Sequence, residues 1–239
     1  MARIGYGVAM TDISDITGEP VTWTPAVGQL PGPSAGGSPL VKIMQRLEQV
    51  PVLDRLAAPM EVLSRPLGRG VLGDQLRGRT AGHALHPALV AMPMGCWTSA
   101  ILIDLAGGPD QRPSSELLLT AGLIGAVPSV ATGLAEWRTT GTEDGRVGAL
   151  HAVLNGVATG LFATSLGLRR AGEHRAGVAA ALAGGALAGA AGFLGGHLSV
   201  ARKVGSRSAA FATDEVGPRI ERPSGSAQDG RALDGPPTA

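Results

Sequence analysis

The chain has 239 residues, a formal net charge of +1 and a charged fraction of 16%. So balanced a charge, without a basic stripe, excludes a nucleic-acid binder. The single cysteine, Cys96, excludes an internal disulfide and any cysteine-rich metal centre, iron–sulfur clusters included.

Residues 1–38 read as a disordered leader, rich in Pro, Gly and Ser and without apolar periodicity. They contain no apolar stretch of signal-peptide type, so Met1 is expected to begin the mature protein. Residues 39–80 differ. Leu40, Ile43, Met44, Leu47, Val50, Leu53 and Leu56 recur at helical spacing, opposite Lys42, Arg46, Glu48 and Asp54. Pro51 interrupts the pattern, which predicts two short amphipathic helices, about 39–49 and 52–64. Such helices either lie on a bilayer surface or dock as a collar on the body of the protein.

Four apolar stretches lie within residues 81–205, at about 86–106, 116–137, 147–168 and 176–201. Each is long enough to cross a hydrocarbon core about 30 Å thick. They are continuous apolar runs and not alternations, which selects helix over strand. From Ala176 to Leu198 no charged residue precedes His197, so a soluble helix here would have no face for water. Short polar connectors make the stretches an up-down-up-down bundle. The predicted fold is all-α: a membrane four-helix bundle with amphipathic N-terminal helices and a disordered tail over residues 206–239.

Small residues supply the packing surfaces. Ala180, Gly184, Ala188, Gly192 and Gly196 form a stripe at four-residue spacing on the last helix. Ala152, Gly156 and Gly160 do so on the third, and Gly125, Ser129 and Gly133 on the second. In lipid, close backbone approach at such residues carries the packing of the bundle. Pro93 and Pro128 fall inside helices and are expected to kink them. Near the membrane, nine Lys and Arg residues fall on the side of both termini (among them Arg77, Arg138, Arg146 and Arg202). Four, Arg112, Arg169, Arg170 and Arg175, fall on the other. This bias places both termini in the cytoplasm, with the protein in the inner membrane.

Polar residues concentrate at the terminus side. His86 begins the first span, Glu136 and Trp137 end the second, His151 and Asn155 lie one and two turns into the third, and His197 is a turn from the end of the fourth. Ionisable groups in spans are costly and mark functional sites. Three readings stand together: imidazoles ligating haem b or a transition metal, a proton relay or quinone site, and a hydrogen-bonded lock of the bundle. Only three Phe, three Trp and one Tyr are available, which counts against a haem pocket. Asp104, near the opposite end, requires a partner such as Arg169, Arg170, Thr164 or Ser165. Cys96 has no second cysteine or helix N-terminus beside it and reads as an inert apolar thiol. No nucleophile–base pair or phosphate loop can be named, which argues against an enzyme acting alone.

Several segments together resemble the bacterial domain-of-unknown-function 2231 membrane proteins. They are Gly82–Val90 with its His86-Pro87, Met92-Pro93-Met94-Gly95 followed by Trp97 and Asp104, Thr132–Trp137, Arg146–His151 with Asn155, and Leu194–Leu198. Upstream, Leu47–Asp54 resembles a leader of actinobacterial members. The resemblance covers about residues 40–205 and implies a four-span fold without an established activity. It also implies relatives that continue into a Rieske iron–sulfur domain. Residues 206–239 contain no Cys and no His, so no such cluster is expected here. The function expected is therefore an accessory subunit or anchor for a redox protein, with the lipid bilayer and further copies of the chain as other partners. A small transporter or proton pathway and a purely structural protein are the alternatives.

Overall fold

The computed structural model describes residues 38–208. The leader expected over residues 1–38 and the tail expected over 206–239 lie outside the described residues, except for Ser38 and residues 206–208. Among the described residues the chain is helical throughout, with one isolated bridge between His83 and Arg207.

Three short helices come first: α1 (Pro39–Glu48), α2 (Asp54–Ser64) and α3 (Gly70–Leu76), with a tight turn at Pro51–Leu53 between the first two. The sequence pattern does not announce α3, because Gly68, Gly70 and Gly73 dilute its propensity. Gly73 is needed there, since a Cβ would lie 2.6 Å from the Gly68 backbone.

Four long helices complete the chain: α4 (His86–Ala106), α5 (Arg112–Glu136), α6 (Thr142–Arg170) and α7 (His174–Gly196), the last closing in a wider π turn at His197–Ala201. α5 and α6 start earlier than their apolar stretches. Pro113 is favourable in a first helical turn. Glu143 and Asp144 open α6 and Arg169 and Arg170 close it, each sign suited to its end of the helix dipole. All four helices are long and apolar enough to cross a membrane. Their exposed apolar side chains, such as Leu102, Leu117, Ile124, Val127 and Phe193, form the lipid-facing surface.

The bundle is a pair of hairpins, α4–α5 and α6–α7, each packed more closely within itself than against the other. The hairpins repeat one design. α4 buries Pro93, Trp97 and Ala100; α6 buries Ala158, Phe162 and Ser165, each 65 residues later. α5 buries Ser115, Leu119, Gly122, Ala126 and Ser129; α7 buries Gly177, Ala181, Gly184, Ala188 and Ala191, each 62 residues later. Equivalent residues of α4 and α6 meet at three heights. The His86 and His151 rings lie 6.2 Å apart, Trp97 stacks on Phe162 at 4.2 Å, and Arg169 pairs with Asp104 at 2.5 Å. A pseudo-two-fold axis therefore runs along the bundle.

The first two short helices cap the terminus side of the second hairpin, and α3 packs against α5 of the first. Met44 of α1 is buried with Val147 and Leu194, and Leu47, Leu150, Leu154 and Leu198 pack around them. Arg146 holds both oxygens of Asp54 at 2.8 and 3.0 Å and donates to the Glu48 carbonyl at 3.0 Å. The Arg146 guanidinium favours the charged form of Asp54 and holds that carboxyl below the usual Asp range.

Candidate functional site

The site begins with two imidazoles, one from each hairpin. His86 stands at the start of α4 and its Nδ1 lies 2.8 Å from the Ser129 carbonyl on α5. His151, in α6, repeats the arrangement with the Ala191 carbonyl on α7, also at 2.8 Å. A carbonyl only accepts, so both neutral rings carry their proton on Nδ1 and a lone pair on Nε2. Each ring rests on a glycine of the neighbouring helix. A Cβ on Gly133 would lie 2.9 Å from His86, and one on Gly195 would lie 2.9 Å from His151. Asn155, one turn below, donates to the His151 carbonyl at 3.0 Å and places its amide 3.2 Å from His151 Nε2. The two rings face each other nearly at right angles, at 86°.

His197 does not share this arrangement. It lies in the π turn, and its Nε2 is 2.8 Å from a carboxylate oxygen of Glu48 on α1. Arg202 approaches the same carboxylate at 3.5 Å and bonds Asp144 at 2.7 Å. The expected convergence of three histidines is thus a pair plus a separate clamp on the amphipathic cap. The physical reason is helix register: Gly195 is the residue of α7 that meets His151, and His197, two residues on, is turned about 200° from it and away from the seam. Glu136, 8% exposed, accepts from the Ser206 backbone N–H at 2.9 Å and its hydroxyl at 3.1 Å. Its other oxygen is buried without a partner. Trp137 packs over Gly148 of α6.

Asp104, Arg169 and Ser115 form a second polar layer at the far end. Asp104 accepts from Arg169 at 2.8 and 2.5 Å and from Ser115 at 2.7 Å, and Arg169 also reaches Ser165 at 3.1 Å. The Arg169 and Asp104 side chains are 0% and 2% exposed. Between the two layers lies apolar packing around the Trp97–Phe162 stack, with Ala100, Leu119, Ala126, Ala158, Ala181 and Ala188. The buried polar side chains of the spans fall on either side of it: Ser129, Thr132 and Glu136 on one, Ser115, Ser165 and Arg169 on the other. Along the axis the layers stand about 27 Å apart, from 1.5 Å per residue over the length of α4 between His86 and Asp104. Cys96 is a half-buried free thiol.

The glycine stripe of the last helix divides. Gly184 packs on α6, where a Cβ would lie 3.2 Å from the Ala158 carbonyl and 3.3 Å from Leu161 and Phe162. Gly192 and Gly196 have no atom within 4 Å of a Cβ position and do not pack within the chain, which corrects the expectation for them. Four residues turn an α-helix about 400°, so a four-residue stripe drifts roughly 40° per step and leaves the interface within two or three steps. The same holds for Gly156 and Gly160 on α6, which also face open space.

Sequence reading missed Glu48 as a partner of His197, Ser115 as a partner of Asp104 and Ser206 as a partner of Glu136. Only Ser115 left a usable sign, as a hydroxyl opening α5 opposite the end of α4. The repeat left a fainter one: Ala84-Leu85-His86 and Ala149-Leu150-His151 are the same tripeptide 65 residues apart.

A family profile described as "Predicted membrane protein (DUF2231)" matches residues 82–208, from just before α4 to the last described residue. No curated protein and no solved structure matches the chain.

Proposed function

The chain belongs to the DUF2231 family of predicted membrane proteins, and we propose that it is an accessory module of a membrane electron-transfer system with the His86–His151 pair as its reactive centre. One observation carries this reading. Both rings are fixed through Nδ1 by a backbone carbonyl of the adjacent helix, which leaves Nε2 of each ring as the ligating nitrogen, His151 Nε2 having the Asn155 amide 3.2 Å away. Anchoring the far nitrogen in this way is how proteins orient histidines that ligate metals. The resemblance to chains that carry a Rieske domain agrees with it. The inner membrane with cytoplasmic termini is the matching placement. Because Arg169 is committed to Asp104 inside the bundle, only Arg112, Arg170 and Arg175 count for the opposite side.

A transporter or proton pathway would need a polar route from the histidines to Asp104. The apolar layer around Trp97 and Phe162 occupies that route. The electron-transfer reading is tested on full-length protein purified from native membranes in mild detergent and titrated with reductant and oxidant. It predicts a redox-active group that His86→Ala and His151→Ala each remove while helicity and elution volume stay unchanged. A preparation with no redox-active group and no co-purifying redox protein overturns it.

A further inference from the structure

We infer that the His86–His151 site takes an iron tetrapyrrole, bound on the pseudo-two-fold axis with one imidazole on each face. The inference rests on the electron-transfer reading above and names its cofactor class.

The donor set comes first. Among the described residues, no three His, Cys, Asp or Glu side chains cluster to hold a metal ion. Two imidazoles do not complete the tetrahedral shell of zinc, for which a protein supplies three or four ligands. They do complete the shell of an iron that brings four equatorial nitrogens in its macrocycle. The spacing agrees. A metal–imidazole bond of about 2.0–2.1 Å, plus roughly 1.1 Å from nitrogen to ring centre on each side, separates two ligating rings by about 6.3 Å. The observed separation of ring centres is 6.2 Å, and the Asn155 amide, 3.2 Å from His151 Nε2, must turn aside to admit the macrocycle. Near-perpendicular rings are compatible with this, because an axial imidazole can rotate about its bond to iron.

The repeat supplies an independent argument. His86 and His151 are 65 residues apart, and their carbonyl anchors Ser129 and Ala191 are 62 apart, as are the glycines Gly133 and Gly195 beneath the rings. The two hairpins thus place the same residue, anchored the same way through Nδ1, on opposite sides of one seam. A planar ligand with two equivalent faces is the chemical match. The shortage of aromatic side chains is compatible with a macrocycle whose edges extend from the seam into hydrocarbon. Its chemistry there is one-electron exchange between iron(III) and iron(II), the electron coming from and passing to separate one-electron redox proteins.

The test is absorption spectroscopy on the full chain, both as purified from cells supplied with haem precursor and after titration of purified protein with hemin. The expected result is about one haem per chain with a Soret band and the sharp α and β bands of six-coordinate low-spin iron after dithionite reduction. His86→Ala and His151→Ala should each lower haem content at least 10-fold and by similar factors, while His197→Ala leaves it unchanged. His86→Met, which keeps an axial donor, should retain haem at a more positive potential. Absence of haem in both arms, or haem retained by both alanine variants, overturns the inference. A redox-active metal found without haem, and lost in His86→Ala, overturns it and leaves the electron-transfer reading standing. No redox-active group in any arm overturns both.

Discussion

Asp104 and Arg169 occupy equivalent positions across the axis, so exchanging them should restore what either change alone destroys. Arg169 has no exposed side-chain surface and gives two hydrogen bonds to Asp104. Asp104→Arg sets two buried guanidinium groups together. Breaking a buried pair from one side costs about 3–5 kcal/mol in water-soluble proteins. In a bilayer the unfolded reference also finds partners, so about 2–4 kcal/mol is expected here. The exchange Asp104→Arg with Arg169→Asp re-forms the pair but leaves its neighbours reversed. Ser115 supports the carboxylate, whereas its counterpart Gly177 makes room for the guanidinium: a Cβ there would lie 2.7 Å from Arg169 Cγ. Adding Ser115→Gly and Gly177→Ser completes the exchange. The remaining loss is the Ser165–Arg169 hydrogen bond, whose counterpart position is Ala100, about 1 kcal/mol. Helicity followed through a mixed-micelle SDS titration measures each variant. A fourfold exchange no more stable than Asp104→Arg alone refutes the equivalence of the hairpins.

Gly133→Ala and Gly195→Ala should each cost about 1–3 kcal/mol in the same titration, since a methyl there meets an imidazole, while Gly192→Ala and Gly196→Ala change little. Phe162→Ala, which empties a fully buried site stacked on Trp97, should cost about 3–5 kcal/mol and lower the thermal midpoint. The cap should loosen in acid. The carboxyl of Asp54 is held below its ordinary value of 3.8 by Arg146, so its contribution is fully present above that value and is lost as pH falls through the folded value. Hydrogen exchange in α1 and α2 should therefore rise below about pH 4. Asp54→Asn should show the faster exchange already at neutral pH, and an unchanged profile in that variant sinks the assignment.

The spans were legible because lipid leaves an apolar run of this length few alternatives, and the bounds of α4 agree with its apolar stretch to the residue. The charged ends of α5 and α6 were not, since hydropathy is silent where a helix continues into water. The histidines could be assigned a common level from topology, but not a common point. Whether His197 meets His151 or Glu48 depends on which face of α7 meets α6 and on where an amphipathic helix docks, and neither has a local sequence sign. The repeat was hidden for a related reason. Of the three pairs that meet across the axis only His86 and His151 are identical; Asp104 faces Arg169 and Trp97 faces Phe162, so residue identity is sparse even where structural correspondence is strongest.

Opposite charges on the axis also set an order on biogenesis. When α4 and α5 have entered the bilayer, Asp104 has Ser115 for company but no cation, and a lone carboxylate at the middle of a span costs about 2.5–3.5 kcal/mol, less toward the ends. That penalty stands until the last turn of α6 delivers Arg169 from the far side of the seam. Two copies of the first hairpin cannot relieve it by pairing with each other, because they would bring two carboxylates together. Two copies of the second would meet guanidinium to guanidinium. The nascent chain is thereby steered to close on itself, and the bundle is sealed only after its third span has been made.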